Sequence, residues 1–332
     1  MRYRFIIILL YSILFTSCFE EDKYINTRKG NFEALWKIMD EHYCFFNYKN
    51  IDWNEIHTRY SERISESMDN DALFTVLGEM LAEVQDGHVN LVANHNVARY
   101  WKWFEDYPDN FDSKIQKNYI GTDYGIAGGL KYKILDDNIG YIYYGSFSDG
   151  IGEANINQVL DRMAVCEGII LDIRDNGGGL LTNSDKLASH FFNQKTLVGY
   201  ITHKTGKGHD DFSKPYEIYV EPSDGVKFQK KVVLLTNRSC YSAANDFVNS
   251  MRYAPNVVIA GDRTGGGSGL PFSSELPNGW SIRFSASPIL DAEKNHTEFG
   301  LDPDVDVDMT DEDIAKGTDT IIERARVIIK SN

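Results

Sequence analysis

The chain has 332 residues, 42% of them hydrophobic and 13% aromatic, which suffices for one large or two modest domains with a full core. A net charge of −15 argues for solubility and against a nucleic-acid partner, because phosphate binding needs clustered Lys and Arg. Beyond Cys18 only Cys44, Cys166 and Cys240 remain, too scattered for a disulfide framework or a metal site, and they read as small buried hydrophobes.

Met1 to Arg4 carries two arginines, and Phe5 to Phe15 is an almost unbroken apolar run too short to span a membrane comfortably. Thr16-Ser17-Cys18 comes next, so residues 1–18 read as a secretory signal. Small residues directly before a cysteine resemble the bacterial lipobox, which would make Cys18 the lipidated first residue of a mature lipoprotein. The expected location is then the cell envelope, with outer-membrane lipid as a partner and the periplasmic or the surface side left open. Glu20, Glu21 and Asp22 begin a polar tether.

Residues 19–92 comprise that tether and a helical lobe. Phe32, Leu35, Trp36, Met39 and Tyr43 recur at three-to-four spacing, as do Leu73, Val76, Leu77, Met80 and Leu81. Asn47 to Asp52 reads as a loop between them, and Asp69-Asn70-Asp71 as a helix start. In residues 93–129, Trp101, Trp103, Phe104, Tyr107 and Phe111 cluster without a sustained period, either as a lid beside a cleft or as a packed connector. From Leu130 to the end, strands alternate with helices. Strands are predicted near 132–135, 139–144, 168–173, 198–203, 231–236, 257–261 and 281–287, and helices near 151–165, 183–192, 243–253 and 311–329. This alternation predicts an α/β core with ligands at the carboxyl ends of its strands.

The segment VVLLTNRSCYSAANDF, residues 232–247, runs from a buried strand through a polar turn to Ser242 at the start of a helix. Such a turn can project a hydroxyl into a cleft, with the free N–H groups of the helix facing any negative charge that develops there. A serine in this place is also a common helix N-cap, so its role depends on the rest of the chain. Cys240 ranks below Ser242 as a nucleophile, since its neighbours do not suggest an activated thiolate. Of the eight histidines, His88 in Asp86-Gly87-His88-Val89 has the most pointed setting for a general base. GIILDIRDNGGG, residues 168–179, ends a buried strand in three glycines whose N–H groups can approach a ligand closely, and Asp172 and Arg174 suit an ion pair at the base of that loop. Thr264 to Gly269 is a second glycine loop, and Glu298 offers a carboxylate able to orient a histidine or to sit on a surface loop. Neither GxGxxG nor GxxxxGK[ST] is present, so nucleotide binding is not expected.

DGHV, LDIRDNGGG, LLTNRSCYSAANDF with TGGGSG, and EFGLDPD, in this order, resemble the S41 family of serine peptidases, the C-terminal processing and tricorn-core peptidases. The resemblance covers roughly residues 31 to 310 and implies a crotonase-like (ClpP/crotonase) αββ core, residues 130–332, behind the helical lobe. It implies hydrolysis of a peptide or protein substrate through an acyl-enzyme, without a cofactor or metal. Ser242 matches the nucleophile, and the N–H groups of Ala243 and of Gly178 or its neighbour Gly177 match the oxyanion hole. Where the processing peptidases carry a lysine base past the glycine loop, this chain has Gly267. The tricorn-like branch uses a histidine instead, which points to His88, assisted by an acid matching Glu298 at a slightly offset position; its serine before the histidine is Gly87 here. The stretch from Leu91 to Leu130 is too short for the PDZ domain of the processing peptidases, so none is expected. The alternative is a non-catalytic ligand- or peptide-binding envelope lipoprotein on the same fold.

Overall fold

The computed structural model describes residues 24–331, so the signal segment and Cys18 lie outside the described residues. Three helices form the first lobe, α1 (Arg28–His42), α2 (Trp53–Ser61) and α3 (Asn70–Ala82). Each starts on a side chain that accepts from a free helical N–H: Thr27 from Gly30 N at 3.0 Å, Asp52 from Glu55 N at 2.9 Å, and Asp69 from Ala72 N at 2.8 Å. The apolar positions that recur along α1 and α3 are buried together, with Leu35, Met39, Leu73, Leu77 and Met80 in one cluster. That cluster also holds Leu91, Ile282 and Phe284, so the lobe shares a core with strands from later in the chain.

Two short strands, β1 (Asn90–Val92) and β2 (Val97–Arg99), lead into α4 (Lys102–Glu105) and α5 (Ser113–Ile120). Next come β3 (Gly125–Ala127), β4 (Leu130–Ile134), β5 (Gly140–Tyr143), α6 (Glu153–Met163), β6 (Gly168–Asp172) and α7 (Leu181–Ala188). The chain continues through β7 (Thr196–Ile201), β8 (Tyr216–Val220), β9 (Lys231–Thr236), α8 (Ala243–Met251) and β10 (Val257–Gly261). It ends with β11 (Gly269–Glu275), β12 (Ser281–Asp291), β13 (Val305–Asp306), α9 (Asp311–Lys316) and α10 (Thr320–Lys330).

The first sheet has the order β13-β10-β9-β6-β5-β4-β3, parallel from β13 to β5 and antiparallel beyond. Its central strands are apolar on both faces because both are covered. Ile169, Leu171, Val232 and Leu234 face the core that contains α6, α7 and α8, while Ile170, Val233 and Leu235 face α10. A buried ion cluster closes the end of β6: the Arg174 guanidinium holds Asp172 at 2.7 Å and Asp319, the N-cap of α10, at 2.9 Å.

The second sheet is antiparallel, ordered β2-β1-β12-β7-β8 with β11 on β12. Here the expectation from sequence needs correction. The predicted strands at 198–203 and 281–287 belong to this sheet, not to the α/β core, and five strands, β2, β3, β8, β11 and β13, carry no clear signal, whereas β1 follows the short apolar stretch after Asp86-Gly87-His88-Val89. The single helix expected over 311–329 is two, broken where Gly317 takes a left-handed φ of 70° and Asp319 caps the next start. Residues 93–129 hold β2, α4, α5 and β3, and no PDZ fold lies among the described residues.

Candidate active site

Strand β9 ends at Thr236, and the turn after it is held from both sides. Tyr241 N donates to Asn176 O at 3.2 Å and Ser242 N to Gly266 O at 2.9 Å, so each glycine loop grips the backbone next to the serine. Ser242 itself has φ 57° and ψ −121°, a conformation rare for a residue with a side chain, at a sharp strand-to-helix turn. Its hydroxyl does not cap α8. Instead Ser242 Oγ lies 3.0 Å from His88 Nε2, a contact between residues 154 positions apart in sequence. The capping explanation for this serine therefore fails on geometry.

His88 is 4% exposed and leans on the Tyr241 ring at 4.9 Å. Burial lowers its pKa to about 4, against the opposing pull of Asp86, so the imidazole is neutral at pH 7. Its Nδ1 is buried with no hydrogen-bond partner. Asp86 fixes the main chain instead, accepting from His88 N at 2.8 Å, and it also accepts from Ser285 Oγ at 2.8 Å, Tyr43 Oη at 3.1 Å and Tyr241 Oη at 3.4 Å. Burial opposes this carboxylate's charge, but Lys49, followed by His88 and these donors, holds it below the usual range.

Glu298 is placed otherwise than expected. It makes no hydrogen bond to His88, because a buried ammonium takes it first: Lys49 Nζ sits 2.9 Å from Glu298 Oε1. The other carboxylate oxygen accepts from Ser268 N at 2.9 Å, bracing the second glycine loop. Lys49 also donates to the carbonyls of Val84 and Gln85, both at 3.2 Å, just ahead of the histidine motif. Desolvation works against its charge, yet Glu298 and Asp86 outweigh it and raise its pKa, so Lys49 is a fixed cation and not a base. Sequence reasoning misses Lys49 and Asp86. Lys49 stands in an aperiodic loop and meets the site only through tertiary packing, whereas Asp86 is visible within DGHV but reads there as part of a turn.

The glycine positions carry their own reasons. At Gly267, the place of the absent lysine, φ is +77° and an added Cβ would meet the Tyr241 ring at 2.3 Å. At Gly87 a Cβ would meet Trp103 Nε1 at 2.6 Å, so the indole occupies the space that a serine would need. Trp103 stacks on Tyr241 with centroids 4.1 Å apart, and Arg238 donates to Trp103 O at 2.6 Å while lying 3.9 Å from the Tyr107 ring centre. Trp103 of the aromatic segment is thus packed against the site, while Trp101 and Tyr107 remain exposed.

Of the three expected oxyanion donors, Gly178 N–H is engaged by Asn176 Oδ1 at 3.0 Å. The N–H groups of Gly177 and Ala243 have no acceptor among the described residues, and Gly177 borders open space. Burial pushes the Cys240 thiol up to about 12, which makes it a poor nucleophile beside Ser242. A hydroxyl on a neutral imidazole, two free N–H groups and an adjoining cavity are the components of acyl transfer.

The chain is similar to known proteins in sequence and in fold. Residues 138–307, just over half of the chain, match the model for peptidase family S41, and residues 25–82 match the tricorn protease C1 domain. A candidate peptidase from Parabacteroides merdae, solved by crystallography, is 56% identical with a TM-score of 0.89, over 92% of this chain and 97% of that one. The carboxy-terminal processing protease CtpA of Bacillus subtilis is 24% identical over 206 residues, 61% of this chain and 41% of its own length, so the chain spans less than half of that relative. Mature CPAF shares the fold with a TM-score of 0.68 at 11% identity, over 91% of this chain and 97% of that one.

Proposed function

The chain belongs to peptidase family S41, and on that premise we propose that it hydrolyses peptide bonds as a serine-type peptidase in which Ser242 is the nucleophile and His88 the base. The observation that carries this reading is the 3.0 Å approach of Ser242 Oγ to His88 Nε2 at a strained turn where the hydroxyl caps nothing. As Oγ bonds to the substrate carbonyl carbon, its proton passes to Nε2 and the carbonyl oxygen becomes an oxyanion held by Ala243 N–H and Gly177 N–H. Collapse breaks the C–N bond, and the imidazolium returns the proton to the leaving amine. Water then attacks the acyl-serine through the same histidine, releasing the acid and regenerating Ser242.

Asp86 supplies the negative charge that favours the transient imidazolium, and Glu298 acts indirectly by holding Lys49 and the second glycine loop. Ser242→Ala and His88→Ala are each expected to abolish cleavage of a mixed peptide library followed by mass spectrometry. Unchanged cleavage by Ser242→Ala would sink the assignment.

The pattern of Arg2, Arg4, the apolar run and Thr16-Ser17-Cys18 supports lipidation at Cys18 and attachment to the cell envelope. Radiolabelled palmitate should enter the wild-type chain and not Cys18→Ser. Equal incorporation in both would remove the anchor from the reading.

A further inference from the structure

A cavity of about 320 Å³ opens directly beside Ser242, bounded by α7, α8, β11 and β12. Leu181, Leu270, Pro271 and Ile289 give it apolar walls. Asp246, in the first turn of α8 and four residues after Ser242, lines the same cavity as Ser242 does. The side-chain hydrogen bond that Asp246 accepts is from Ser184 Oγ at 3.3 Å, and no Lys, Arg or His pairs with it among the described residues. The other charges around it are Asp185 on α7, which repels it, and Arg283 on β12, exposed at the rim. A desolvated carboxylate without a cation is unfavourable in a finished core, but it suits a site that a cation visits.

We infer that this cavity receives the side chain of the substrate residue whose carbonyl Ser242 attacks, and that Asp246 selects a lysine or arginine there. An apolar slot with a carboxylate in its lining matches an aliphatic stem with a cationic head. An acidic pocket sets the same preference in trypsin. The inference rests on Ser242 being the nucleophile. Burial, with Asp185 adding repulsion, raises the Asp246 pKa to about 7. A cationic guest therefore binds best above that pH, where the carboxylate is ionised.

Two fluorogenic peptides that differ only in lysine or norleucine before the scissile bond test this. Wild-type protein is expected to favour lysine at least about tenfold in kcat/KM, the scale of one charge-assisted contact. That ratio should fall as pH drops below about 7, collapse in Asp246→Asn and recover in part in Asp246→Glu. Should Asp246→Asn fail to fold, the wild-type ratio and its pH dependence decide. Preference for norleucine, or a ratio unaltered by the substitution, overturns the inference. If neither peptide is cleaved while a fluorophosphonate still labels Ser242, the pocket assignment alone falls. If labelling and all cleavage are absent, the catalytic reading falls with it.

Discussion

At the residue scale the site depends on two side chains held in unfavourable states by their surroundings. Ser242 keeps a positive φ because Gly266 O and the Tyr241–Asn176 bond fix the backbone on either side of it. His88 is kept neutral by burial, with a pKa near 4, so it can accept a proton in acid where an exposed histidine could not. The acid limb of kcat/KM, measured on the norleucine peptide to keep Asp246 out of the profile, should therefore fall near pH 4 and not near 6.5. The same shift has a stability sign. A histidine whose folded pKa is depressed contributes fully above the unfolded value, and that stability is lost as pH falls from about 6.5 towards 4. Glu298 and Asp246, whose pKa values burial raises, slope the other way over this range. The His88 contribution should therefore appear in urea titrations as the difference between the wild type and His88→Gln. Both residues are legible in the sequence from their motifs, but the acid is not, because one buried lysine redirects Glu298 and leaves Asp86 to act on His88.

At the scale of elements, the glycine loop after β6 owes its position to the Asp172–Arg174–Asp319 cluster, which ties the strand end to the start of α10. Arg174 is fully buried and also donates to Asn110 O at 3.1 Å. Arg174→Ala would strand two carboxylates in the core. Loss of about 3–5 kcal/mol of stability is expected in chemical denaturation, against less than about 1 for an exposed pair such as Lys316–Glu312. Central strands such as β9 can be found from sequence because they are uninterrupted apolar runs covered on both faces. The second sheet cannot, since strands such as β2, β8 and β11 are largely exposed and are ordered by pairing, β11, β1 and β7 directly on the long β12, and β2 and β8 through β1 and β7. The single helix predicted over 311–329 is too long because apolar residues continue past Gly317 while its backbone ends the first helix.

Over the whole molecule, the nucleophile comes from the α/β core and the histidine from the end of the helical lobe, so the site exists only where the two close together. Lys49 spans that junction, linking the lobe's Val84 and Gln85 carbonyls to Glu298 of the core. Lys49→Met should destabilise the protein by about 3–5 kcal/mol, because Glu298 and Asp86 lose their shared cation. Lys49→Met with Glu298→Gln should recover part of that loss, as thermal melting of both variants can establish. Such a link cannot be read from a lysine in an aperiodic loop, although the two halves it joins are each legible. The most direct measurement is intact-mass and peptide mapping of the full chain after reaction with a fluorophosphonate. A single adduct on the peptide containing Ser242, absent in Ser242→Ala and formed on the order of a thousandfold more slowly or worse in His88→Ala, is the predicted result. An unmodified Ser242 in folded wild-type protein, or equal labelling of His88→Ala, would contradict a Ser242–His88 peptidase.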